Sequence, residues 1–301
     1  MIVAPQASLN QPNSVWQAGA ELGEGPVWVD RESALYWVDI KGCAVHRLSW
    51  PDGKQKSWQA HGQIGALHPT SDGRFIGAFQ DGIHLVTLDP DSDRAVAQLL
   101  IDPEPNLPGN RFNDAKVGPG GALWAGTMDD REDDPTGRLY RFSKDKMCQV
   151  IDDGYVVTNG PAFSPDGTLL YHTDTFKRII YVFDLDPGGG ASNRRVFTQL
   201  PEDTGYPDGM SVDSEGCLWV GHWGGWCLSR FSPEGKRLLE LPMPVANVTS
   251  CSFGGDDLKT LFVTTAAKGL SALERRDQPA AGDLFALRLD VAGWPTQYFE
   301  W

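Results

Sequence analysis

At 301 residues with 41% apolar composition, the chain is long enough to bury a large core. Its net charge of −14 repels phosphate backbones and anionic bilayers alike, which argues against nucleic acid and against a charged membrane surface as partners. The five cysteines are odd in number and contain no Cys-x-x-Cys pair, which argues against a disulfide framework and a zinc knuckle and points to free thiols in a reducing compartment. There is no run of about 18 apolar residues to read as a membrane helix. Residues 1–15 carry no basic region and no apolar stretch, so no signal peptide is expected and the expected location is the cytoplasm.

Abundant Gly (34), Pro (21) and Trp (11), with few helical apolar periods, predict many short strands joined by tight turns. In chain order, a strand over 14–18 comes first. A first unit follows through Trp28, the turn Asp30-Arg31-Glu32-Ser33 and Leu35-Tyr36-Trp37-Val38-Asp39. The second has its turn at Ser71-Asp72-Gly73 and the third at Pro119-Gly120-Gly121. The third continues into the acidic run Asp129-Asp130-Arg131-Glu132-Asp133-Asp134, read as a solvated loop, with a place at the rim of a binding site as the alternative. The fourth unit is the clearest: Asn159 opens it, Ser164-Pro165-Asp166-Gly167 turns it, and it runs on through Asp174 and Asp184. Tyr206-Pro207-Asp208-Gly209-Met210 opens the fifth, which turns at Ser214-Glu215-Gly216. The sixth runs through Phe253 and Leu261-Phe262-Val263-Thr264-Thr265. Residues 271–282 are expected to be a loop, and a strand over 282–289 to pair with 14–18 and close a ring, which removes exposed sheet edges.

The turn glycines Gly73, Gly121, Gly167 and Gly216 are 48, 46 and 49 residues apart. Six copies of a four-stranded unit predict an all-β, six-bladed β-propeller spanning 1–301 as a single domain, its antiparallel blades set around a central channel. A β-sandwich with coincident turn spacing is the alternative. Stepping back eight residues from each turn glycine, or aligning the first and last copies on Trp28 and Phe253, gives one shared position: Glu24, Gly65, Asn113, Asn159, Asp208 and Thr249. On the innermost strands of a propeller these converge at one height, and clustered carboxylates repel unless a cation joins them. An all-oxygen set suits Ca²⁺, Mg²⁺ or Mn²⁺, while zinc or Fe(II) could also bind. The local alternative is that each Asn or Asp bonds its own backbone in an Asx turn. Fifteen residues further on stand Asp39, Met128, Asp174 and Trp223. Asp39 and Asp174 are candidates to orient the ligands, or simply strand-ending turn residues. Arg111, two residues before Asn113, offers a guanidinium fork to substrate oxygens. His222 sits beside the forward position and is a candidate substrate contact. No serine nucleophile elbow, Walker loop or dinucleotide fingerprint is present.

The segments Gly23-Glu24-Gly25-Pro26-Val27-Trp28, Arg111-Phe112-Asn113-Asp114, Ala125-Gly126-Thr127-Met128, Thr158-Asn159-Gly160-Pro161 and Tyr206-Pro207-Asp208-Gly209 resemble, in order and across nearly the whole chain, the motifs of the senescence marker protein/regucalcin/gluconolactonase family. Tyr171-His172-Thr173-Asp174-Thr175 and Trp223-Gly224-Gly225 look most like its bacterial sugar-acid lactonases. The resemblance implies one catalytic divalent metal held by Glu24, Asn159 and Asp208. It implies Arg111 and Asn113 on a sugar lactone, and Asp208 as acid/base in hydrolysis to the aldonic acid. The family's acidic substrate contact after Gly-Thr-Met has no clean match: Arg131 stands at the aligned place, with Asp129, Asp130 and Glu132 beside it. Aryl-ester or phosphotriester hydrolysis, and a non-catalytic metal-binding regulatory propeller, are the alternative functions. The expected partner is a small sugar lactone, and the expected state a monomer or weak homo-oligomer.

Overall fold

The computed structural model describes residues 11–301, so residues 1–10 of the stretch read as lacking a signal peptide lie outside the described residues. Among the described residues there are six four-stranded antiparallel sheets in a ring, a six-bladed β-propeller. The innermost strands of successive blades are Gly23–Val29, Ile64–Pro69, Asn110–Val117, Thr158–Phe163, Tyr206–Val212 and Val248–Gly254, and each packs on the next around the circle. The second strands, such as Ala34–Asp39 and Thr260–Thr265, are buried along their whole length. Sandwiched between neighbouring blades, they carry apolar runs such as Leu35-Tyr36-Trp37-Val38 and Leu261-Phe262-Val263. The outer strands, such as Ala191–Gln199 and Arg237–Pro242, are largely exposed.

The turn glycines all take positive φ: Gly73 +97°, Gly121 +68°, Gly167 +72° and Gly216 +77°. In the first blade Ser33, aligned with them, takes the same left-handed conformation with φ 45°. The ring closes as expected: Asn13–Trp16 pairs with Leu284–Arg288 as the outermost strand of the sixth blade, with Ser14 opposite Phe285. The stretch 271–282 is not all loop. It contains a helix, Ala272–Asp277, whose N-terminus is closed by a capping box between Ser271 and Glu274. That Ser-x-x-Glu signal was in the sequence, but one turn and a half of helix carries no apolar period to reveal it.

Every inner strand slips register at the shared position found in the sequence. The slips fall between Glu24 and Val27, Ile64 and Ala66, Phe112 and Ala115, Asn159 and Ala162, Pro207 and Met210, and Val248 and Ser250. Such bulges bend the strand and re-aim the side chain at the bulge, and here Glu24, Asn113, Asn159 and Asp208 at four of them line one cavity. The glycine in the second blade has a packing cause. A Cβ on Gly65 would lie 2.0 Å from the backbone oxygen of Asn113, so neighbouring backbone occupies the place of a side chain. Gly65→Ala is expected to cost about 1–3 kcal/mol or more and to displace Asn113; thermal melting and KM, read together, check it.

Candidate metal centre and substrate site

The six shared positions separate by what their polar atoms already do. Gly65 has no side chain. Thr249 donates its hydroxyl to the backbone oxygen of Gly23 at 2.6 Å, and so ties the sixth blade to the first. Asn113 spends both amide protons, on Thr158 O at 2.7 Å and on Asn159 Oδ1 at 2.9 Å. Its own oxygen accepts from Arg111 Nη1 at 2.6 Å. That leaves Glu24, Asn159 and Asp208, from the first, fourth and fifth blades, with oxygens to offer. All three are at least 96% buried and line one cavity at the end of the channel.

Asn159 is locked by its partners. Its nitrogen donates to Thr175 Oγ1 at 2.9 Å, and that hydroxyl donates to Pro207 O at 3.1 Å. With its oxygen accepting from Asn113, one lone pair remains free. Glu24 Oε2 accepts from the Gly25 amide at 3.1 Å. Among the described residues neither Glu24 nor Asp208 is in an ion pair. Burial raises the pKa of both carboxyls well above the usual range; Asp208 and Asp114 raise Glu24 further, and Asp114 raises Asp208. Asp114, beneath them, is pushed up to about 6 by burial, with the buried Lys116 opposing. Unpaired carboxylates in such a place cost several kcal/mol each. A doubly charged ion coordinated by Glu24, Asn159 and Asp208 would remove that cost, so the donor set fits a divalent cation.

Arg111 is buried and held on three sides. Nε donates to Asp130 Oδ1 at 2.6 Å, and Nη1 to Phe112 O at 3.1 Å as well as to Asn113. Nη2 has no protein partner among the described residues, and Arg111 lines the cavity with Glu24 and Asp208. Asp130 also accepts from Lys41 Nζ at 2.6 Å and Gln63 Nε2 at 3.2 Å. Burial pushes its pKa up, but Lys41 and Arg111 prevail and hold it below the usual range. The acidic run is therefore part of the rim rather than only a solvated loop. Asp129 folds it by accepting from the amides of Asp133 and Asp134, while Arg131 points outward. Asp130→Asn is expected to loosen the Arg111 fork and lower kcat/KM by about 10²-fold, with little change in melting temperature; steady-state kinetics beside thermal denaturation check it.

Three sequence candidates stand apart from the ligands. Asp39 accepts from the amides of Glu21 and Leu22 at 3.0 Å and of Gly42 at 2.9 Å, so it shapes the backbone leading into Glu24 without touching it. Asp174 pairs with Lys177 at 2.7 Å at its strand end. For both, the turn-residue reading describes the contacts made. His222 is buried, with Nδ1 on Thr204 O at 2.7 Å, and does not line the cavity; Trp223 beside it does. Further residues complete the mouth, of which Lys268, Leu22, Val157 and Phe176 were not singled out in the sequence. Glu132 and Lys268 form an ion pair across it, from the third and sixth blades. Leu22, Val157, Phe176, Tyr206 and Trp223 supply an apolar wall. Glu132 takes φ 65°, a turn conformation that simple alignment past Met128 could not register.

The family profile described as SMP-30/Gluconolactonase/LRE-like region matches residues 22–267. The chain is 37% identical over 273 residues to 6-deoxy-6-sulfogluconolactonase of Pseudomonas putida, covering 90% of this chain and 92% of that protein. It is 36% identical over 283 residues to a pentonolactonase of Haloferax volcanii, covering 92% and 94%. The crystal structure of a calcium-binding protein, regucalcin, from Agrobacterium tumefaciens superposes with a TM-score of 0.89 at 28% identity, covering 95% of this chain and 96% of that one. The channel-lining motifs, the six-bladed ring and these matches agree: the chain belongs to the SMP-30/gluconolactonase/LRE-like family.

Proposed function

We propose that the protein is a divalent-metal-dependent sugar lactone hydrolase that opens an aldonolactone to the aldonic acid, with the whole ring acting as one functional unit. The observation that carries this reading is the meeting of two unpaired buried carboxylates, Glu24 and Asp208, with the Asn159 oxygen and a fixed guanidinium fork in one cavity. Lactonase activity in relatives that this chain matches over nearly its full length supports it. Glu24, Asn159 and Asp208 would hold the ion. When bound, the ion supplies Lewis-acid polarisation of the ester carbonyl and positive charge opposite the developing oxyanion.

The remaining work falls to the chain's own residues. Arg111 Nη2 and the free lone pair of the Asn113 oxygen hold sugar hydroxyls, so the lactone meets the carboxylates in one orientation. The apolar wall strips water from the ring face opposite the attack. Asp208 takes the proton from the attacking water and returns it to the ring oxygen as the ester C–O bond breaks. Burial raises the affinity of Asp208 for a proton, while an adjacent cation lowers it, and this balance sets the pH at which it works as a base. The substrate is read as a gluconolactone-, xylonolactone- or arabinonolactone-like ring. Five free cysteines support a cytoplasmic location. A calcium-binding structural relative favours a second reading, a non-catalytic metal-binding propeller. The test is proton release from a panel of aldonolactones by chelated protein restored with Ca²⁺, Mg²⁺, Mn²⁺, Zn²⁺ or Fe²⁺ in turn, with paraoxon as the competing ester. Ion-restored turnover of a lactone supports the proposal, and none with any ion overturns it.

A further inference from the structure

A second group of metal-ligating side chains lies at one end of the second blade, and none of its members lines the channel cavity. His61 precedes the inner strand Ile64–Pro69, Asp81 lies in the turn after Phe75–Phe79, and His84 is in the following strand, Gly82–Leu88. One carboxylate oxygen gathers both imidazoles: His61 Nε2 is 3.1 Å and His84 Nε2 3.0 Å from Asp81 Oδ1. One donor atom from each of the three residues falls within 4.8 Å of the others. Donors bound to one ion at about 2.1 Å stand roughly 3 Å apart when adjacent, so these side chains already hold close to the spacing of a coordination shell.

The rings are also held in place. His61 stacks on Phe79 with centroids 4.6 Å apart and planes at 15°, and His84 packs on the same ring at 4.7 Å. Phe79 is fully buried, and the His84 side chain is only 4% exposed. Two imidazoles clamped on one buried phenyl ring lose little freedom on binding an ion. Asp81 and His61 remain 58% and 42% exposed, which leaves the outer coordination positions to water. Two nitrogens and a carboxylate suit borderline first-row ions, Zn²⁺, Co²⁺, Ni²⁺ or Cu²⁺, and not Ca²⁺ or Mg²⁺. The chemistry differs from the all-oxygen set in the channel.

We infer that His61, Asp81 and His84 form a second, solvent-open site for a transition-metal ion on the rim of the second blade. The inference is independent of the lactonase reading. Its test is the number of Ni²⁺ ions held per chain after equilibrium dialysis, measured on wild type, His61→Ala and Asp81→Ala. Both substituted residues are largely exposed, so folding is retained and circular dichroism verifies it. The expected result is one equivalent fewer in each variant, or an affinity for that equivalent lowered beyond the roughly 10–100-fold that a supporting residue is worth. The channel site contributes equally to all three proteins and cancels. Lactone turnover in Ca²⁺ is expected to be unchanged in both variants. Equal Ni²⁺ stoichiometry and affinity in the three proteins would overturn the inference and leave the cluster as two histidines hydrogen-bonded to one carboxylate.

Discussion

Asp208→Asn is expected to lower lactone turnover by at least ~10³-fold while the propeller stays folded. Proton transfer by a positioned carboxylate is worth about 10²–10⁴ in rate, and a weakened ion removes charge stabilisation worth several kcal/mol more. The amide is nearly the same size, so the packing around this buried side chain survives. Glu24→Gln falls by a comparable factor for a different reason, because it removes a ligand charge and no proton carrier. Varying the ion concentration separates the two roles. Excess ion is expected to recover part of the Glu24→Gln activity and little of the Asp208→Asn activity. Proton release from an aldonolactone, with circular dichroism on the same samples, is the measurement. Near-normal turnover by ion-loaded Asp208→Asn would remove Asp208 from the chemistry.

The same carboxyls make the metal-free protein less stable as pH rises. Glu24 and Asp208 bind their protons more tightly in the fold than in the unfolded chain, chiefly through burial. Above the ordinary carboxylate range the folded state therefore holds more protons than the unfolded one, and stability drops with increasing pH until the raised values are passed. Below that range both states are protonated and the penalty disappears. Both elevations act in the same direction, so their effects on stability add over this range. Elsewhere Asp72 and Asp257, held at about 2 by Arg74 and Arg288, push the profile the other way. The difference between wild type and Glu24→Gln isolates the channel term. Metal-free Glu24→Gln is expected to melt above metal-free wild type at pH 8 and alongside it at pH 4. A divalent ion is expected to raise the wild-type melting temperature more at pH 8 than at pH 5, since it replaces the missing proton. Scanning calorimetry with chelator and with added ion reads both effects, and identical wild-type and Glu24→Gln profiles across this range would contradict them.

How much of this the sequence carried depends on the kind of signal. Turn glycines leave a periodic mark, so the blades, the ring closure and the convergence of Glu24, Asn159 and Asp208 at one position could all be read from it. The bulges behind that convergence could not, because a register slip is a relation between two strands rather than a property of either. For the same reason Asn113 and Thr249 looked equivalent to the ligands; their protons are committed to groups more than 40 residues away in sequence. Asp130 was visible as a rim candidate in an acidic run, but its grip on Arg111, 19 residues away, left no local mark. Lys268 and Glu132 meet across 136 residues, and no local pattern could pair them. His61, Asp81 and His84 leave no mark in the repeat, because the cluster belongs to one blade alone.

Anomalous scattering from crystals grown with Mn²⁺ tests the central claim most directly. A peak within bonding distance of carboxylate oxygens of Glu24 and Asp208 and of Asn159 Oδ1, absent from crystals of Asp208→Asn, is the expected result. A channel with no peak at saturating Mn²⁺, or a peak that Asp208→Asn leaves unchanged, would contradict it.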